Sequence, residues 1–105
     1  MGRKRRIRWS RLADRDLEQD HAYLQAQQPE VAQNFAREIF AAVERLAESP
    51  EMAPIARDLH PLGRYRHVPV GRHRIIYRLD EQDLIILRVW DTRRDPALLV
   101  VEGSS

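Results

Sequence analysis

The side chains best suited to chemistry in this chain are arginines. All but one of its 18 basic residues are Arg, Lys4 being the exception. A guanidinium offers a planar fork of donors that binds phosphate or carboxylate through two parallel hydrogen bonds, which an ammonium cannot do. Arg72, Arg74 and Arg78 fall at even spacing in one stretch, and Arg93-Arg94 follow a second. At a period of two, Arg72, Arg74 and Arg78 share one face of a strand with Ile76, and Ile75, Tyr77 and Leu79 share the other. The apolar face can meet a core, so the Arg face is expected to look outward. His67 and His73 lie beside these arginines, and imidazole titrates near neutrality. Asp91 precedes the arginine pair and can either salt-bridge Arg93 or Arg94 or cap the turn after the strand. The turn cap is the favoured reading. Trp90 reads as packing rather than as a stacking platform for bases.

The charge is unevenly placed. The net value is +2, but residues 1–11 hold six basic and no acidic side chains. Residues 12–56 hold nine acidic and three basic ones, and residues 57–105 nine basic and seven acidic. Basic segments attract polyanions and acidic partner proteins. The chain has no Cys, so disulfides and thiolate metal sites are excluded. Its four His residues show no HExxH or similar ligand spacing, so no metal site and no cofactor is expected. No apolar run is long enough to span a bilayer, and no apolar h-region follows the basic start. By elimination, the expected location is the cytoplasm.

The elements that must position the arginines follow from periodicity. With 105 residues the chain is expected to form one domain, 1–105. Residues 1–6 read as a basic arm, disordered or lying on the acidic helices or a partner. Ile7-Arg8-Trp9-Ser10 alternates as a short strand does, and Ser10 is a good helix N-cap. A helix is predicted over 11–27, with Asp20 and His21 interrupting its apolar stripe, as a solvated edge or as an Asp–His contact. Pro29 starts a second helix, over 30–48, in which Val31, Phe35, Ile39, Val43 and Leu46 recur at three- and four-residue spacing. The short turn between the helices predicts an antiparallel hairpin. Residues 49–63 form an irregular connector with three prolines and Gly63. Three strands follow, 64–70, 72–79 and 84–90, with turns at Gly71 and at Asp80–Asp83. Pro69 suggests a sheet edge or bulge, and the apolar third strand a central place. The tail 97–105 begins with an apolar stretch that could add a strand or pack on a partner. The fold class is therefore α+β: an N-terminal strand, a helical hairpin, then an antiparallel meander packed on the hairpin in two layers.

Two segments carry a resemblance. Val70-Gly71-Arg72-His73-Arg74-Ile75-Ile76-Tyr77-Arg78, followed by Leu84-Ile85-Ile86-Leu87-Arg88-Val89-Trp90-Asp91-Thr92-Arg93-Arg94-Asp95, resembles the RelE/ParE toxin superfamily of type II toxin–antitoxin systems. The likeness runs from Ile7 to about Pro96. RelE-type members cleave messenger RNA on the ribosome, and ParE-type members poison DNA gyrase. RNA cleavage without a metal needs a base for the 2′-hydroxyl, cations for the phosphate and an acid for the leaving oxygen. On this resemblance Arg74 and Arg94 match catalytic arginines. The C-terminal catalytic Tyr would fall in Leu98-Leu99-Val100, where there is none, and the sheet has no Lys. His67 or His73 would have to serve instead. ParE-type toxins usually carry His-Gly before Arg-Arg, where this chain has Trp90-Asp91-Thr92.

The resemblance implies a ParE-like toxin that binds its target through Arg72, Arg74, Arg78, Asp91, Arg93 and Arg94. DNA gyrase would be the target and a cognate antitoxin the neutralising partner. The alternatives are a ribosome-dependent endoribonuclease using Arg74, Arg94 and a His, and a non-toxic partner that only binds antitoxin.

Overall fold

The computed structural model describes residues 4–102. Its order is β1 (Arg6–Trp9), α1 (Arg11–Gln27), α2 (Pro29–Glu48), β2 (Arg66–Val70), β3 (His73–Leu79), β4 (Asp83–Asp91) and a short 3-10 turn at Pro96–Leu98. The α+β architecture is the expected one. No helix among the described residues is long and apolar enough to cross a membrane.

The helix boundaries have local causes. The Ser10 hydroxyl accepts the Ala13 N–H at 3.1 Å, satisfying a donor the first turn leaves without a partner. Gln28 alone separates the helices. Its extended backbone (φ −146°) ends α1, and Pro29 then occupies the first position of α2, where its missing N–H has no consequence. The amphipathic stripe of α2 buries Ala32, Phe35, Ile39, Val43 and Leu46.

The four strands form one sheet in the order β1-β4-β3-β2. The meander β2-β3-β4 is antiparallel, whereas β1 joins β4 in parallel, which makes the sheet mixed. The central position expected for the apolar third strand is that of β4. Gly71 turns the chain between β2 and β3 with φ +58°, a left-handed conformation that glycine adopts without steric penalty. Pro69 lies in β2, the edge strand. Along the outer side of β2, Ala56 donates to the Tyr65 carbonyl, and His67 donates to that of Pro54. Position 69 is the next on that side, and proline has no N–H to offer there.

Parity holds on the helical side of β3, and a register shift opposite Ile76 and Tyr77 resets it in β4. Ile75, Tyr77, Leu84, Ile86 and Val89 meet Ala13, Phe35, Ile39, Val43 and Leu46 in the main core. The other side departs from expectation. There Ile76, Ile85, Leu87 and Trp90 form a second apolar cluster with Ala56 and Tyr65, and Leu59, Leu99 and Val101 pack against it. The connector and the tail therefore cover much of the face expected to be open. The physical reason is that this face is not uniformly charged: β4 is apolar on both sides, and its outer side chains must also leave water.

The N-terminal arm is likewise tied down as far as it is described. Lys4 ion-pairs Glu44 of α2, and the Arg5 N–H donates to the Ala47 carbonyl. Arg6 and Arg8 both bind the buried carboxylate of Asp83. The remainder of the arm, residues 1–3, lies outside the described residues, as does the end of the tail, 103–105. The described part of the tail forms no strand. It makes its 3-10 turn, capped by the Asp95 side chain on the Ala97 N–H, and then lies on the second cluster.

Candidate functional site

Part of the predicted set converges on the outer sheet face. Arg74 faces Trp90 across β3 and β4. Arg94, just beyond β4, lays its guanidinium over the Trp90 ring at 4.5 Å from the centroid. Trp90 itself is 3% exposed, so its role is packing, and the Arg88 guanidinium lies over the same ring at 5.1 Å from the centroid. Arg74 Nε donates to His67 Nδ1 at 2.8 Å, and Arg74 Nη2 donates to both Asp58 oxygens at 2.7 and 2.9 Å. Burial and the Arg74 charge both lower the His67 pKa, so this imidazole is neutral at physiological pH. The hydrogen bond from Arg74 holds the Asp58 carboxyl below its usual range.

Arg78 sits apart from this group. Its Nε donates to Glu102 Oε1 at 3.0 Å. Glu102 Oε2 also accepts from Arg64 Nε at 3.0 Å and from the Tyr65 hydroxyl at 2.7 Å. A residue near the chain end thus neutralises two arginines of the face. Burial alone would raise the Glu102 pKa, but the Tyr65, Arg64 and Arg78 hydrogen bonds overcome it and hold it below the usual value. A carboxyl held low in the folded state contributes stability above the ordinary carboxylate range, lost as pH falls through its lowered native value. Acidification below pH of about 4 should therefore loosen the tail and expose Trp90. Tryptophan fluorescence followed against pH tests this: a transition present in the parent should be missing from Glu102→Gln. An identical curve in both would exclude the clasp.

The other predicted residues lie elsewhere. His73 faces the helices, 7% exposed, with its ring 4.5 Å from that of Phe35 and its Nε2 2.8 Å from Asp20 Oδ2. It cannot act with Arg74 and Arg94, because consecutive residues of β3 project to opposite faces. The Asp–His contact that the first helix hinted at is made by Asp20 with His73, not with its neighbour His21. Asp91 does both things considered for it. It caps the turn by accepting the Arg93 N–H at 2.9 Å, and it ion-pairs the Arg93 guanidinium at 2.7 Å. The Arg93 hydrogen bond, chiefly, pulls the Asp91 pKa to about 2. Arg93 therefore belongs to a groove between the helical hairpin and the Gly71 end of the sheet. Arg72 is exposed beside it.

The sequence reading missed one structural centre. Arg88 and Asp16 form a buried bidentate ion pair, with both bonds at 2.7 Å. Past Trp9, the β1 side of β4 has no strand along it, and Ser10 and α1 lie there instead. Ser10 donates to the Ile86 and Leu87 carbonyls, and Asp16 accepts the Val89 N–H at 3.0 Å. Arg88 Nη1 also reaches the Val100 carbonyl at 2.7 Å. The available signal was an arginine in an otherwise apolar central strand, which must find a carboxylate.

A helical hairpin on a four-stranded sheet is a fold shared with chains of solved toxin–antitoxin systems. A chain of the chromosomal ParDE system of P. aeruginosa superposes with a TM-score of 0.71 at 19% identity, covering 84% of this chain and 96% of that one. A chain of the RelBE2 toxin–antitoxin complex of Mycobacterium tuberculosis gives 0.57 at 21% identity, covering 85% and 99%. No curated protein sequence matches the chain. Residues 7–96 match the family described as the ParE toxin of the type II toxin–antitoxin system, parDE, and the chain belongs to that family.

Proposed function

We propose that this protein inhibits DNA gyrase by binding it, and that a cognate antitoxin neutralises it. Gyrase enters through the ParE relationship, and the antitoxin through the paired systems in which similar folds occur. The observation that carries action by binding is the make-up of the Arg74–Arg94 face. It presents Arg94 over Trp90 with Arg74 on the neighbouring strand, but the His67 lone pair that could take a proton from a 2′-hydroxyl is already occupied by Arg74 Nε. His67 is neutral there and its Nδ1 is already engaged by Arg74.

The ribosome-dependent nuclease is the second reading, favoured by the same contact, since a neutral His67 that accepts from Arg74 at Nδ1 keeps its proton on Nε2 and could pass it to a leaving oxygen. Induction in cells separates the two. A gyrase inhibitor should cause DNA damage and filamentation while protein synthesis continues at first. Rapid loss of protein synthesis with cleaved messages would overturn the binding reading in favour of the nuclease. Normal growth on induction would reduce the protein to an antitoxin-binding partner.

A further inference from the structure

The groove at the Gly71 end of the sheet holds three potential metal ligands from three elements. They are Asp20 of α1, His73 at the start of β3 and Asp91 at the end of β4, and their donor atoms all lie within 4.8 Å of one another. We propose that Asp20, His73 and Asp91 bind a divalent cation of the zinc class.

The argument begins with rigidity. His73 and Asp91 are cross-strand partners in the β3–β4 ladder, so the backbone fixes their separation. The Thr92 N–H and hydroxyl both donate to the Arg72 carbonyl at 2.9 Å, which locks the same end of the sheet. The Phe35 ring packs on the imidazole and sets its plane. Its Nε2 points at the Asp20 carboxylate, and the cation would replace the proton now shared between them. Zn²⁺ takes imidazole nitrogen and carboxylate oxygen at about 2.0–2.2 Å, which places such donors roughly 3.3 Å apart in a tetrahedral shell. The three side chains need only a small closure to reach that spacing.

Charge supports the assignment. Two carboxylates and a neutral imidazole carry the two negative charges that balance the ion. The resident cation is the Arg93 guanidinium on Asp91, and its side chain is 56% exposed, free to swing toward water. Each carboxylate oxygen has a second lone pair, so Asp91 can keep the Arg93 N–H while turning toward the ion. The groove is open to solvent, so an ion can enter, and a fourth position is left for water or for a side chain of a partner. A cation here would clip α1 to the sheet one helical turn beyond the Arg88–Asp16 pair.

Calorimetric titration of the full chain with Zn²⁺ tests the site without using toxicity as a readout. One ion per chain is expected. Asp20→Asn and His73→Gln should each weaken binding by on the order of 10-fold or more, while His60→Gln and His67→Gln bind like the parent. Co²⁺ in place of Zn²⁺ should give visible absorption that Asp20→Asn loses. Circular dichroism checks that each variant folds. If His73→Gln does not, Asp20→Asn decides, because its amide can still hydrogen-bond His73. Absence of one-to-one binding, or unchanged binding in Asp20→Asn, would overturn the proposal.

Discussion

Replacing Asp16 by Ala should destabilise the protein by about 3–5 kcal/mol, the usual consequence of leaving a buried charge without its partner. The stranded group would be Arg88, whose side chain is 8% exposed and has no route to water that preserves the core. The Val89 N–H would lose its acceptor as well. A domain of this size has about 5–15 kcal/mol in all, so the variant loses a large share of its stability. Urea denaturation measures the effect directly. The paired change Asp16→Leu with Arg88→Met should be far milder than either single change, because apolar groups of similar volume need no partner. A loss under about 1 kcal/mol for Asp16→Ala would mean that this pair behaves like a surface contact, and the account of the β4 edge would fail. Arg88 also holds the Val100 carbonyl, so its loss should free the tail, whereas the loss of Asp16 should not.

The second large effect is on function. If the outer face meets the target, Arg74→Ala and Arg94→Ala should each reduce target affinity by on the order of 30-fold or more, as truncation of a buried interfacial charge usually does. Neither should unfold the protein. Arg74 pairs with the exposed carboxylate of Asp58, a contact worth about 1 kcal/mol or less. Arg94 gives up only a stacking contact on Trp90, worth about 0.5–1 kcal/mol. Growth inhibition should therefore fall while the denaturation midpoint stays within a few degrees. Full toxicity in both variants would remove this face from the mechanism.

The sequence was most informative where its signal was local. Helical spacing from Phe35 to Leu46 marks α2 because a single face must be buried, although Val31, read as part of that stripe, is exposed, and parity in Arg72–Leu79 separates the core side of β3 from its outer side. Gly71 and Pro29 mark a turn and a helix start through their own backbone limits. Other features depend on partners far apart in the chain, and no periodicity encodes them. Asp16 looks like one more acid in the early turns of α1 until β4 arrives beside it, 72 positions later. Asp58 and Glu102 look like ordinary surface charges, yet they hold Arg74 and Arg78. The parallel docking of β1 on β4 was also hidden, because four alternating residues say nothing of direction. The same limit applies to the candidate sites. Arg74 and Arg94 could be proposed together from a motif, but only the fold puts His67 with them and sends His73 to the opposite side.

The treatment of β2 has a consequence for the protein as a material. A sheet that ends in unpaired amides is a seed on which identical chains can stack. Here the connector already occupies the outer side at Tyr65 and His67, and the next outward position is Pro69. An incoming strand would meet two occupied rungs and then one with no hydrogen to share. That side of the sheet is finite by construction, so the chain should withstand high concentration without fibre growth from β2.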